Sequence, residues 1–156
     1  MAVAARTGRL RRNFQGYTDD TAPVLIGLGA SSISRFPQGY AQNASATAAY
    51  TKAVRAGQFS TARGHEFSGE DVLRARLIDA VMSDFRIDAE EMKRDFGATA
   101  SQLQTMFDRT RAEFGEMVEV DTHGLTIPVH ARALTRMIAR TFDAYGLAKS
   151  GHSPAV

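Results

Sequence analysis

The sequence predicts an α+β chain that is mostly helical and carries a β-hairpin. Three observations predict it. From Ser68 to Gly115 apolar residues recur at helical spacing, and capping residues separate the stripes. Two short apolar runs then flank Asp121-Thr122-His123-Gly124, a turn-forming sequence. Near the start, Val24-Leu25-Ile26 runs into Gly27-Leu28-Gly29-Ala30-Ser31-Ser32-Ile33-Ser34, an apolar strand entering a glycine-containing loop.

Element by element, residues 1–12 carry Arg6, Arg9, Arg11 and Arg12 without hydrophobic periodicity. They read as a solvated or frayed chain end, or else as a cationic lip for an acidic ligand. Val24 to Ile26, closed by Gly27, fits a buried strand. In Gly27-x-Gly29-x-x-Ser32 a serine stands where a dinucleotide fingerprint needs its third glycine, and Pro37 follows where a helix should open. A structural turn is the better reading from spacing. Ala44 to Gly57 has helical spacing with a glycine stop, and Thr61 to Glu66 reads as a polar connector.

Ser68-Gly69-Glu70-Asp71 has the form of a capping box. It opens an amphipathic helix to about Phe85 through Val72, Leu73, Leu77, Ile78, Val81 and Met82. Asp88 caps a second helix, with Met92 and Phe96 inward and Gly97 at its end. Thr99 caps a third, with Leu103, Met106, Phe107 and Phe114 on one stripe and Gly115 as its stop. Met117 to Val120 and Leu125 to Ile127 are the hairpin strands. Past Pro128 a last helix carries Leu134, Met137, Ile138, Phe142 and Tyr145, with Gly146 as its cap and a disordered tail after it. Helix, short helix, helix, hairpin, helix is the order of a winged-helix unit, placed at 67–146.

Bulk properties exclude several classes. The 156 residues suit one domain, or a small domain with an appended segment. A formal net charge of +2 is no electrostatic footprint for nucleic acid. The third helix offers Gln102, Gln104, Arg109 and Arg111, but also Asp108 and Glu113, and Glu116, Glu119 and Asp121 stand on the hairpin. Those acids would face phosphates, so protein packing is favoured over DNA binding. No apolar run reaches membrane-spanning length, and Met1 to Arg6 lacks the apolar core of a signal peptide. With zero cysteines the chain offers no disulfide, thiolate nucleophile or iron–sulfur ligand, and a cytoplasmic setting is expected.

His65, His123, His130 and His152 lack metal-ligand spacing, so no metal site is expected. The acidic pairs Asp19/Asp20 and Glu90/Glu91 read as surface charges, and Met82, Met92, Met106 and Met137 as core filler.

Three stretches together resemble a known family: Arg12-Asn13-Phe14-Gln15-Gly16-Tyr17-Thr18, then Gly27 to Ser34, then Tyr40-Ala41-Gln42-Asn43. They look like the C-terminal third of oxygen-independent coproporphyrinogen III oxidase, a radical S-adenosylmethionine enzyme of haem biosynthesis. Phe85-Arg86-Ile87-Asp88 and Thr141-Phe142-Asp143-Ala144-Tyr145 extend the likeness over almost the whole chain, in the same order.

The resemblance implies an N-terminal radical barrel of β/α units whose Cys-x-x-x-Cys-x-x-Cys motif holds a [4Fe–4S] cluster. A deoxyadenosyl radical then takes hydrogen from two propionates of coproporphyrinogen III, which lose carbon dioxide to become vinyl groups. It also implies that Gln15 and Ile33 contact S-adenosylmethionine, that Gly27 and Gly29 let the loop come close, and that Arg12, Tyr17, Gln42 and Asn43 lie toward substrate. The cysteine motif and most of the barrel are absent here.

The expected organisation is therefore a barrel-derived strand and cofactor-wall loop over 1–45, a helix and connector over 46–66, the winged-helix-like unit over 67–146 and a tail over 147–156. The chain would supply cofactor wall and substrate lid without the cluster, no catalytic residue of its own, and no turnover alone. A stand-alone winged-helix interaction module is the alternative.

Overall fold

The structure, a computed structural model, describes residues 2–13 and 16–145. Gln15, Gly146 and the tail expected over 147–156 lie outside the described residues.

The arginine-rich start is folded. Helix α1 (Ala2–Arg6) leads into an antiparallel hairpin of β1 (Arg11–Asn13) and β2 (Gly16–Thr18), paired Arg11 to Thr18 and Asn13 to Gly16. Its hold is polar and so left no periodicity to read. The Arg12 backbone N–H donates to the Asp79 carboxylate at 3.2 Å, and the Tyr17 hydroxyl donates to the Met82 carbonyl at 3.2 Å. These anchors make the end ordered rather than frayed, while Arg6, Arg9 and Arg12 are exposed to solvent as expected.

Val24 to Ile26 is also not a buried strand. Leu25 makes a single bridge to Arg35, while Val24 and Ile26 are 41% and 58% exposed. Within the described residues no element covers this apolar run.

Strands β3 (Ile33–Phe36), β4 (Gly39–Asn43) and β5 (Thr61–Glu66) form an antiparallel sheet in that order, with helix α2 (Thr47–Arg55) joining β4 to β5. Helix α2 starts three residues later than Ala44, whose N–H instead donates to the Ser60 carbonyl at 2.8 Å. The connector expected at Thr61 to Glu66 is in fact the edge strand β5. All six of its residues are exposed, so no apolar alternation was required of it.

The second half holds the core. Helix α3 (Asp71–Asp84) ends on Phe85 in the left-handed conformation, at φ 57°. Strand β6 (Arg86–Asp88), helix α4 (Ala89–Phe96), helix α5 (Ala100–Phe114), strand β7 (Glu119–Asp121) and strand β8 (Gly124–Thr126) follow, with sheet order β6-β8-β7. Gly115–Met117 is a 3₁₀ turn, which shifts the first hairpin strand toward the turn.

The helix starts are largely as expected. Asp88 accepts from the N–H groups of Glu90 and Glu91, and Thr99 with Gln102 forms a complete capping box. At Ser68 only half a box forms. The Asp71 carboxylate accepts the Ser68 N–H at 2.9 Å, but the Ser68 hydroxyl turns to that same carboxylate.

The single helix expected after Pro128 is three pieces: a 3₁₀ segment Val129–Leu134, helix α6 (Thr135–Ala139) and a 3₁₀ turn Arg140–Phe142. Thr135 and Thr141 hydroxyls donate to the carbonyls three residues back, at 2.7 and 2.8 Å, which supports the tighter winding. Met137 is 54% exposed rather than core, whereas Met82 and Met92 are buried as expected.

Leu77, Val81, Ile87, Met92, Leu103, Leu125, Ile138 and Phe142 are buried in one cluster. The Thr110 and Thr141 hydroxyls meet inside the protein at 2.7 Å. Each also points at a helix carbonyl, so the one that donates across must give up its own carbonyl.

Asp84 sits at the C-terminal end of α3, where the helix dipole disfavours a negative charge. Burial first, then Asp79 and Glu91, raises its pKa against the pull of Arg76 and Arg11. A raised carboxylate contributes stability below its unfolded pKa and loses it as pH rises through the folded value. Asp84→Asn should therefore stabilise the fold at neutral pH by up to about 1 kcal/mol, and the gain should shrink on acidification. Thermal melts at pH 7 and pH 4 check this, and an equal gain at both pH values would contradict it.

Candidate functional site

The loop between Leu25 and β3 is held by side chains from the elements around it. The Asn43 amide donates to the carbonyls of Gly27 and Gly29, at 3.1 and 3.0 Å. The Gly27 N–H donates to the Ser34 hydroxyl at 3.0 Å, and the Gly29 N–H to the Tyr50 hydroxyl on α2 at 3.1 Å. The Gln42 amide donates to the Ser31 carbonyl at 3.1 Å.

Both glycines are needed. Gly29 has φ +106°, and a Cβ on Gly27 would stand 2.7 Å from the Ile33 carbonyl oxygen. The loop enters a strand rather than a helix, so it lacks the N-terminal helix amides of a dinucleotide site.

Directly paired residues in an antiparallel sheet share a face. Ile33 pairs with Gln42 and Gln42 with Arg63, while Arg35 pairs with Tyr40 and Tyr40 with His65. Residues two apart on a strand also share a face. Ile33, Arg35, Tyr40, Gln42, Arg63 and His65 therefore form one surface, with the loop at one end.

At the other end of this surface lies a cleft of about 450 Å³. Its walls are Arg35, Tyr40 and His65 from the sheet, Arg12 and Asn13 from β1, Asp71, Arg74, Ile78 and Asp79 from α3, and Asp143 to Tyr145. Phe67 meets the Tyr40 ring edge-on at 5.0 Å, and Tyr145 meets His65 at 4.9 Å.

Asp71 joins three of these walls. It accepts the Ser68 N–H, stands 3.3 Å from His65 Nε2, and accepts the Tyr145 hydroxyl at 3.0 and 3.1 Å. The Ser68 amide above all, with help from Tyr145 and His65, holds its pKa below the ordinary aspartate range. The same bond raises the Tyr145 pKa, because the neutral hydroxyl is the donor.

Of the expected site residues, Gly27, Gly29 and Ile33 meet at the loop, with Gln42 and Asn43 as its props. Arg12 lies across the cleft, and Tyr17 is bonded to the end of α3. Arg35, Tyr40 and His65 are cleft residues that sequence reasoning missed. The available signal was basic and aromatic residues in register on paired strands, hidden because Thr61 to Glu66 carried no strand pattern.

Of the four polar residues that the third helix offers, Gln102 and Gln104 are engaged within the protein, Gln102 in its cap and with Glu70, Gln104 with Asp108. Among the described residues no group of three or more His, Cys, Asp or Glu is placed to hold a metal ion, and no helix is long and apolar enough to cross a membrane.

No protein-family model matches the chain. It is 59% identical over 156 residues to an oxygen-independent coproporphyrinogen III oxidase of Paracoccus denitrificans, covering 100% of this chain and 35% of that protein. The enzyme of the same name from Bradyrhizobium diazoefficiens is 37% identical over 158 residues, covering 100% of this chain and 35% of that protein. The structure of Escherichia coli coproporphyrinogen III oxidase, a radical SAM enzyme, superimposes with a TM-score of 0.85 at 31% identity, over 92% of this chain and 34% of that one. The chain spans about a third of the length of the curated relatives it matches. It is therefore homologous, along its whole length, to a portion of oxygen-independent coproporphyrinogen III oxidase, in the radical SAM family.

Proposed function

We propose that this chain is the C-terminal portion of a cytoplasmic oxygen-independent coproporphyrinogen III oxidase, which converts coproporphyrinogen III to protoporphyrinogen IX by oxidative decarboxylation in haem biosynthesis. The observation that carries the reading is identity of 59% across all 156 residues. Its contribution is a cofactor wall, made by the loop through Gly27, Gly29 and Ile33 together with Gln15, and a substrate lid made by the winged-helix-like unit over 67–146. Helix α3, β6, α4, α5 and the β7–β8 hairpin support that unit assignment by their order.

The loop fits S-adenosylmethionine as a wall. Its amides at Gly27 and Gly29 are already bonded to Ser34 and Tyr50. What remains is the partly buried apolar side chain of Ile33, suited to an adenine or a methylene beside the sulfonium. Polar recognition falls to Gln15, whose amide offers both a donor and an acceptor. Arg12 and Tyr17 lie toward substrate. Gln42 and Asn43 act through the loop they brace.

The residues present do not fit an iron–sulfur cluster. Such clusters are held by cysteine thiolates, and this chain has none. The exposed Val24, Ile26 and Leu28, at 41%, 58% and 83%, support a second apolar surface packing on this edge, as the barrel of a full-length enzyme would.

A chimera tests the proposal. This chain should replace the matching third of the Paracoccus denitrificans enzyme with activity retained. Ile33→Asp and Gln15→Ala should then raise the KM for S-adenosylmethionine at least about tenfold, the loss of roughly one 1.4 kcal/mol contact. A cluster-loaded chimera that is inactive, or variants with an unchanged KM, would overturn the reading. Salt-sensitive binding of duplex DNA by the chain alone would favour the interaction-module alternative.

Asn43→Ala removes two hydrogen bonds to the loop. It should speed amide exchange across residues 25–33 and lower stability by about 1–3 kcal/mol, with exchange in α5 protected as before. Unchanged exchange in the loop would show that Asn43 does not brace it.

A further inference from the structure

We propose that Tyr50, on helix α2, is a positioning residue for the cofactor: through the Gly29 amide it fixes the direction of the loop that flanks the apolar wall. The inference rests on the cofactor-wall reading above, and its experiment separates the two.

Helix α2 has no buried residue, and no side chain caps its start. Its burial therefore does little for the core. Tyr50 is its exception in direction. The half-buried ring brings its hydroxyl to the loop, where it accepts the Gly29 N–H at 3.1 Å.

The far end of the loop is tied to strand β4 and the residue after it. The Asn43 N–H donates to the Ser32 carbonyl and the Ser31 N–H to the Ala44 carbonyl, each at 3.0 Å. The near end is tied at Gly27, by Ser34 and by the Asn43 amide. Gly29 lies between these ends, at φ +106°. Without a Cβ its flanking peptides turn freely, so hydrogen bonds decide their direction. Asn43 holds the Gly29 carbonyl from the sheet side at 3.0 Å, and Tyr50 holds the N–H from the helix side. The Ser32 hydroxyl, which donates to the Leu28 carbonyl at 2.7 Å, belongs to the loop and moves with it. Among the described residues Tyr50 is thus the anchor that α2 gives the loop. A partly buried amide that loses its acceptor turns toward another acceptor or water.

Such a turn bears on the wall. Gly27 is packed so closely against the Ile33 carbonyl that a Cβ there would stand 2.7 Å from its oxygen. A displaced Gly29 peptide is therefore felt, two residues back, at the backbone that presents the Ile33 side chain. A ligand that must first order the loop loses part of its binding free energy to that ordering. Once the ligand is bound the wall is the same, so the effect falls on binding and leaves the chemical step alone.

The test is Tyr50→Phe in the active chimera, a change that keeps the ring and removes the acceptor. The KM for S-adenosylmethionine should rise about fivefold, the scale of one neutral hydrogen bond, with kcat at saturation unchanged. Lys52→Ala, an exposed position on the same helix, should leave both constants as they were. In the 156-residue chain Tyr50→Phe should speed exchange of the Gly29 amide while α3 stays protected.

A fall in kcat at constant KM would mark a merely structural role and overturn the proposal. An unchanged KM, or unaltered exchange at Gly29, would do the same. If Ile33→Asp raises the KM and Tyr50→Phe does not, only the role of Tyr50 fails. If neither variant moves it, the cofactor wall fails and the role of Tyr50 goes with it.

Discussion

Burial along helix α3 is the constraint on which both halves of the molecule rest. Leu73, Leu77, Ala80 and Val81 commit its buried side to the core, and a buried leucine of this kind is worth about 1.5–3 kcal/mol. The rest of its circumference is also occupied. Asp71 reaches the sheet and the C-terminal segment, Asp79 takes the β1 backbone, and the Met82 carbonyl takes Tyr17. The first half has few buried apolar residues of its own. It is placed by polar contacts to a helix whose position the core already determines.

The same division explains what was legible in the sequence. Elements that bury an apolar stripe were readable. Helices α3, α4 and α5 fall where Leu77, Met92 and Phe107 predicted them, and Asp88 and Thr99 cap as their residue types suggest. Elements held by polar or backbone contacts were not. Strand β5 has no alternation because both its faces are wet, β6 is too short to show a period, and the β1–β2 hairpin is anchored through an amide and a phenol. The apolar run at Val24 misled in the opposite sense, since hydrophobicity marks a surface to be covered without saying what covers it.

Two short motifs acquire physical content. In Phe85-Arg86-Ile87-Asp88 each residue has its own task. Phe85 closes α3 in the left-handed conformation under the Arg132 guanidinium, 4.3 Å from its ring. Ile87 is fully buried, Asp88 caps α4, and Arg86 pairs with Asp88 at 2.8 Å. In Thr141 to Tyr145, Thr141 and Phe142 lock the chain into the core, and three residues later Tyr145 reaches Asp71 at the cleft. A core anchor and a cleft wall are thus separated by a single turn of chain, so repacking at Phe142 would be transmitted to the site.

The candidate loop is legible for a different reason. Its glycines signal a close approach, and the nearest approach turns out to be to the protein's own backbone at Ile33. Asn43, Ser34 and Tyr50 satisfy its polar groups before any ligand arrives. A loop so pre-organised offers shape and an apolar side chain at little ordering cost, but few free hydrogen bonds.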